Sequence, residues 1–466
     1  MSEKNEFDLL KEKLFMEPKP AVVTMGDEVK VADEFCEGYK IFLNDCKTER
    51  LAVKFSVNLA KEKGFEDFDA HKKYSAGDKV YFVNRNKSII LCVFGKKPVS
   101  EGIRLTAAHI DSPRLDLKPN PLYEDNEIAY FKTHYYGGIK KYQWTAIPLS
   151  LHGVVIKADG ETVDVSIGEK EGEPQFVISD LLPHLAKDQM KRTLAEGISG
   201  EELNIIIGSR RLNSDSGANL VKLNIMKILN EKYGIVEEDF LSAELELVPA
   251  MKVSDIGFDR SLIGGYGHDD RVCAYPSLMA ILDTETPDYT SICVLTDKEE
   301  TGSDGNTGLN SSYLKYFIED IARMNGFTPS EVFKNTQCLS ADVNAAYDPT
   351  FPSVSEKMNS SYLNRGVVVT KYTGARGKAG TSDASAEFMG KVRKLFNDNN
   401  VIWQIGELGK VDEGGGGTVA MYIANLDVDV VDVGVPMLSM HSPFELVAKI
   451  DVYQAYKAFF TFFNFG

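Results

Sequence analysis

Long apolar runs are missing from this chain. No stretch of about 18 apolar residues occurs, so no membrane-spanning helix is expected. The opening segment, MSEKNEFDLLKEKLF, lacks the apolar centre and cleavage site of a secretory leader. Basic residues are outnumbered, 52 Lys and Arg against 69 Asp and Glu, for a net charge of −17. Such a surface is a poor partner for nucleic acid or an anionic membrane face, both of which need clustered cations. Cysteine is scarce, and none of the six (Cys36, Cys46, Cys92, Cys273, Cys293, Cys338) forms a C-x-x-C pair. Several sit inside apolar runs, as in Leu91-Cys92-Val93 and Ile292-Cys293-Val294. They are expected to be buried thiols in a reducing, cytoplasmic setting, neither a metal knuckle nor a disulfide frame. No internal repeat is present, and the one biased tract is Gly414–Gly417.

What is present fits a globular protein of several domains. At roughly 150 residues per domain, 466 residues imply two or three. Apolar residues make up 43%, enough for large cores without cross-links. The first ~115 residues alternate helix-like and strand-like stretches. A helix is expected over Lys47–Gly64, with strands at Lys79–Val83, Ser88–Phe94 and Ile103–Ile110. From about Lys118 to Lys252 the texture changes. Val154–Ala158 and Thr162–Ile167 flank Asp159-Gly160 as a hairpin; Leu203–Ile207 is a strand, and Ser216–Tyr233 has helical spacing. This block is expected to be an inserted α+β domain over residues 118–252, dividing an α/β domain formed by residues 1–117 and 253–466. The α/β rhythm then resumes with apolar strands at Ser291–Thr296, Cys338–Ala341 and Val430–Val435. Ser442-Pro443-Phe444-Glu445 has the pattern of a capped helix start, and the last helix is expected to run from there through Leu446, Ile450, Tyr453 and Phe459.

Chemistry-bearing residues gather where these strands stop, the edge at which open α/β sheets place their ligands. Of seven histidines, His109 and His441 follow buried strands, and Asp111, Asp269, Glu300 and Asp342 occupy matching positions. Imidazole and carboxylate donors from several strand ends suit zinc or a close relative. Each has an ordinary alternative, since a carboxylate after a strand is more often a helix cap. Glu299-Glu300 is the strongest local signal. Two adjacent desolvated carboxylates repel unless a cation takes one and leaves the other as a general base. Alone the pair reads as a solvated turn; beside the other strand-end donors it reads as part of a metal site. Asp269-Asp270 precedes an apolar helix beginning near Val272; one can bridge two ions and the other can cap the helix, while His268 beside them is read as structural.

Five stretches, TAAHIDSPRLDLKP, GHDDRV, DKEETGS, LSADVNAAYDP and MHSPFELV, occur in an order that resembles the aspartyl aminopeptidase family of dinuclear zinc metallopeptidases. The resemblance runs along nearly the whole chain. It implies two zinc ions per chain (cobalt or manganese being alternatives), one on His109 and Asp342, the other on Glu300 and His441, with Asp269 bridging. It further implies Glu299 as general base and Asp111 as the residue that orients the His109 ring. The implied fold is an α/β catalytic domain with a mixed sheet flanked by helices, interrupted by a dimerisation domain. Peptides are the implied substrates, and dimers built into a dodecamer the implied assembly. His184, in Ile178–Leu185, matches a family stretch whose histidine reaches the neighbouring subunit's active site. The family name implies a preference for N-terminal Asp or Glu, with Lys371, Arg376 and Lys378 available as cations. The segment holding these three residues, and the Gly414–Gly417 run, depart from acid-specific members, and Asp270 stands where many relatives have Asn. The rival readings are an aminopeptidase for basic or neutral residues, a dinuclear amidohydrolase of small amides, and a catalytically idle assembly or binding protein. The intact Glu299 and donor set speak against the last.

Overall fold

The computed structural model describes residues 5–16, 20–213, 217–374 and 376–466. Among these residues three sheets organise the molecule, and the largest positions the site. Its nine strands are centred on four parallel neighbours, in the spatial order Ser291–Thr296, Arg104–His109, Gln337–Ser340 and Asp429–Gly434. The first three are buried along their whole length, as expected of parallel strands covered on both faces. Side chains alternate between two cores. From Arg104–His109, Ala108 joins a core covered by the helices Val29–Asp45, His268–Leu282 and Lys449–Phe465. Leu105 and Ala107 face the opposite way, toward the helix Tyr313–Met324. In register, Thr296 lies beside His109 and Ser340 beside Ala107, so neighbouring strands end at nearly one level. Everything that follows those strands converges on a single edge.

A six-stranded sheet spans residues 114–249, with the hairpin of Leu149–Ile156 and Thr162–Ile167 at one side. The expected hairpin therefore starts earlier than Val154. The helix expected from Ser216 runs Leu220–Tyr233, Ser216 itself lying outside the described residues. The first expected helix runs Glu49–Glu62, and Thr48 caps it by accepting from the Leu51 amide.

The expected helix start at Ser442 is corrected. Glu445–Ala448 forms a strand, pairing antiparallel with Leu262–Gly265 on one side and with Met437 and Leu438 on the other. The terminal helix is Lys449–Phe465. The local capping pattern lost to a ladder whose one partner strand, Leu262–Gly265, is almost two hundred residues away in sequence, and Ser442 instead donates to the Phe444 carbonyl. All six cysteines are buried and unpaired, and no described helix is long and apolar enough to cross a membrane.

Candidate metal centre

His109 ends its strand with a ring that is 1% exposed. Its Nδ1–H donates to the Asp111 carbonyl at 3.0 Å, which leaves Nε2 facing Asp269 Oδ1 at 3.1 Å. His441 repeats this arrangement. Its Nδ1–H donates to the Gly138 carbonyl at 2.8 Å, and Nε2 faces Asp269 Oδ2 at 3.2 Å and Glu300 Oε2 at 3.5 Å. A backbone carbonyl can only accept, so in each ring the Nδ1 site carries the proton. Two Nε2 lone pairs are thus aimed at carboxylate oxygens, an arrangement that requires a proton or a cation between them.

Hydrogen bonds hold the backbone on which Asp269 stands between the two rings. Asp269 and Asp270 open the helix His268–Leu282 with non-helical angles, and the peptide joining them is cis. The Asp269 amide donates to Glu445 Oε2 at 3.2 Å, and the Asp269 carbonyl accepts from the Ser112 hydroxyl at 2.5 Å. Glu445 Oε1 accepts the His441 amide at 2.7 Å. One buried glutamate therefore fixes the backbone of both Asp269 and His441.

The donor set fits a divalent cation. Donor atoms of His109, Asp270 and Asp342 lie within 4.8 Å of one another, as do those of His109, Asp269 and Glu300. The nitrogen–oxygen separations of 3.1–3.5 Å match the edge of a tetrahedral zinc site, about 3.3 Å for bonds near 2 Å. Glu300 Oε1 and both Asp270 oxygens are buried without a hydrogen-bond partner among the described residues, apart from the weak Cys273 thiol beside Asp270. Burial, reinforced by neighbouring carboxylates, pushes Glu300, Asp342 and Asp270 well above the usual carboxylate range. Asp269 ends well below it, because its hydrogen bonds to His109 and His441 outweigh the effect of burial. Burial pushes Glu299 up to about 7. A cation would relieve this crowding of buried acids.

Asp111 sits behind the cluster, fully buried. Its carboxylate accepts the Glu299 and Glu300 amides, each at 3.2 Å, and the Tyr136 hydroxyl at 2.7 Å. A cavity of about 400 Å³ opens onto Asp269, Glu299, Glu300, Asp342 and His441, and continues past Thr370, Thr418 and Asp432. A larger one, about 610 Å³, lies elsewhere among Phe68, Phe82, Tyr316 and Phe317, away from these donors. His184 is exposed and does not line the 400 Å³ cavity. His268 is buried away from the cluster, hydrogen-bonded through Nδ1 to the Tyr39 hydroxyl at 2.6 Å. Lys371 and Lys378 both pair with Asp383, while Arg376 lines an adjoining cavity of about 230 Å³ that shares Thr373, Leu408 and Gly415 with the first. Sequence reasoning missed Asp270 as a cluster member, and also Glu445, Tyr136 and Gly138. Glu445 lies inside a quoted motif, where its spacing from Ser442 points to a helix cap; the other two carry no spacing signal.

Imidazoles and carboxylates gathered at the carboxyl edge of parallel strands in a mixed sheet suit the metal centre of a metallohydrolase. Residues 42–463 match the family described as aminopeptidase I zinc metalloprotease (M18). A Clostridium acetobutylicum protein named "Probable M18 family aminopeptidase 1" is 46% identical over 448 residues, 94% of this chain and 96% of that one. The crystal structure of an M18 family aminopeptidase from Thermotoga maritima superposes with a TM-score of 0.93 at 45% identity, covering 96% of this chain and 99% of that one. The S. cerevisiae mApe1 dodecamer shares the fold at 21% identity, with a TM-score of 0.73 over 93% of this chain and 96% of that one. The chain belongs to the M18 family of zinc metallo-aminopeptidases, hydrolases of peptide bonds.

Proposed function

We propose that this aminopeptidase works with two zinc ions, one held by His109 and Asp342, the other by Glu300 and His441, with Asp269 shared. The observation that carries this reading is the single Asp269 carboxylate facing two imidazole nitrogens with its two oxygens. Cobalt or manganese would suit the same donors. When bound, the ions supply Lewis acidity that polarises the scissile carbonyl and makes water acidic enough to be deprotonated near neutral pH. Glu299 accepts that proton on its carboxylate and delivers it to the departing amine nitrogen. Its position, raised toward neutrality by burial, suits a group that takes and returns a proton. Asp111 holds the Glu299–Glu300 turn and the His109 ring in place.

The substrate is the N-terminal residue of a peptide. The resemblance implies Asp or Glu there, and Arg376 is the cation left for that role. A second reading, neutral or basic residues, is favoured by one observation. The described lining of the cavity beside the cluster has Asp432 and no Lys or Arg, while Lys371 and Lys378 are engaged by Asp383. The six-stranded sheet is proposed as the core of a dimerisation domain spanning residues 118–252, with dimers assembling into a dodecamer like that of the yeast relative. Exposed Leu181, Leu182 and Leu185 around His184 supply apolar area for such contacts. Six buried, unpaired thiols support a cytoplasmic setting. The test is release of N-terminal residues by zinc-loaded protein. Glu299→Gln should keep its metal and lose roughly 10²–10⁴-fold in kcat; near-normal turnover would move the base role to another group.

A further inference from the structure

Three consecutive residues of the middle sheet and its following turn touch the candidate metal centre. Tyr136 closes the strand Ile128–Tyr136, and its hydroxyl donates to Asp111 Oδ2 at 2.7 Å. Its ring is clamped from the other side, because the Arg114 guanidinium lies 3.9 Å from the ring centroid. Arg114 is in turn fixed by Glu49 and Glu246, each at 3.3 Å. The hydroxyl therefore has little freedom to leave Asp111. Gly137 follows with φ +76°, and a Cβ there would stand 3.2 Å from Glu300 Oε2. Gly138 then offers the carbonyl that accepts the His441 Nδ1–H at 2.8 Å.

Asp111 passes the constraint on. Its carboxylate takes the Glu299 and Glu300 amides, and its carbonyl takes the His109 Nδ1–H. The carboxylate also lies 3.3 Å from His109 Nδ1, and a buried carboxylate that loses one of its donors is held less firmly by those left. The groups it holds would then lose their fixed geometry. We propose that Tyr136, Gly137 and Gly138 form a positioning element through which the six-stranded sheet sets both halves of the metal centre, Tyr136 acting through Asp111 and Gly138 through His441. Tyr136 and Gly137 stand outside the lining of the 400 Å³ cavity, which only Gly138 of the three reaches, and the inference rests on that two-ion reading. Gly at 137 is explained by two independent demands, a left-handed backbone and close approach to Glu300.

The test compares Tyr136→Phe, Gly137→Ala and, as control, Tyr135→Phe on the half-exposed neighbouring ring, all against the wild-type chain. Zinc is withdrawn by a chelator of known affinity, and the melting of metal-free protein reports folding separately. Tyr136→Phe should hold zinc more weakly, by up to about the 10- to 100-fold lost when a group directly behind a ligand is removed, while metal-free protein still melts as a folded chain. Its cobalt-loaded form should show an altered visible spectrum, while Tyr135→Phe matches wild type in every readout. Gly137→Ala should weaken the binding step that involves Glu300 more than the other. If Tyr136→Phe does not fold, Gly137→Ala decides alone. Wild-type zinc affinity in the folded variants overturns this inference and leaves the two-ion reading standing. A wild-type chain that holds no zinc would overturn both.

Discussion

Asp269 turns Oδ2 toward Nε2 of His441 at 3.2 Å. Its other oxygen faces His109 at 3.1 Å, so the carboxylate lies between two imidazoles. A shared carboxylate and a terminal ligand have different consequences when removed. Asp269→Ala should bring metal content well below that of wild type at both positions, because each ion loses a ligand. His441→Ala should cost chiefly the ion it shares with Glu300. Elemental analysis after dialysis against dilute zinc counts ions per chain, with two expected for the unaltered protein. Full retention in both variants would refute the ligand assignment.

Substrate preference is decided beyond the cluster. Asp432 is 4% exposed, accepts from Thr418 at 2.9 Å, and is pushed up to about 6 by burial. An acidic side chain entering this cavity meets carboxylates and no cation in its described lining. A panel of N-terminal residues on one peptide scaffold should therefore show kcat/KM at least about tenfold higher for Lys or Leu than for Asp or Glu, roughly 1.4 kcal/mol. Asp432→Asn should narrow the advantage of Lys without abolishing hydrolysis. A clear preference for Asp and Glu would instead assign the role to Arg376.

Much of the cluster was legible because His109, Glu300 and Asp342 end or follow buried parallel strands, which read as short apolar runs. Ser291–Thr296 and the chemistry after it could be placed from sequence alone. The strand order could not, since it brings Thr296 beside His109 across nearly two hundred residues. The same limit explains the helix misplaced at Ser442. Capping patterns are local, whereas the pairing of Glu445–Ala448 with Leu262–Gly265 depends on distant partners. Glu445 was visible as a residue but not as the group that accepts both the Asp269 and His441 amides. Asp270 read as a cap because local rules offer that role first. Its buried oxygens, which have only the weak Cys273 thiol beside them among the described residues, are apparent only in three dimensions.

Glu169 ties the two regions of the chain together through charge. It accepts from His152 at 3.2 Å, Ser150 at 2.5 Å and Lys252 at 2.9 Å, and lies 3.7 Å from the buried Lys47. Burial alone would raise its carboxyl, but the His152 hydrogen bond and the Lys47 charge bring it down from 4.5 to about 2. A carboxylate with a depressed folded-state value binds fewer protons folded than unfolded, so its stabilisation is complete above its ordinary value and is lost as pH falls. Glu169→Gln should cost about 3 kcal/mol near neutrality, because Lys47 is left buried without its counter-charge. The gap between variant and wild type in denaturant unfolding should hold above 4.5 and narrow as pH drops toward 2. A gap independent of pH would place the stabilisation in packing.

His184 is exposed on the single chain, in a turn with exposed Leu181, Leu182 and Leu185 beside it. A lone exposed histidine needs no function, and one following proline often does no more than bond to backbone. Three leucines in the same turn make this a surface that gains by being covered. If a second chain covers it, His184 is carried toward that chain's cavity, where an imidazole N–H can steady the developing oxyanion, a contribution of roughly 3–4 kcal/mol for a single donor. His184→Ala should then lower kcat by about 10²–10³-fold with metal content unchanged. Complementation separates action across subunits from action within one. Glu299→Gln protein and His184→Ala protein, each inactive alone, are mixed under conditions that exchange subunits, and exchange is checked by mass labelling. Mixed dimers contain one site with an intact Glu299 from one chain and an intact His184 from the other, so activity should return. A mixture that stays inactive despite proven exchange, or a His184→Ala chain that keeps full activity by itself, sinks the assignment.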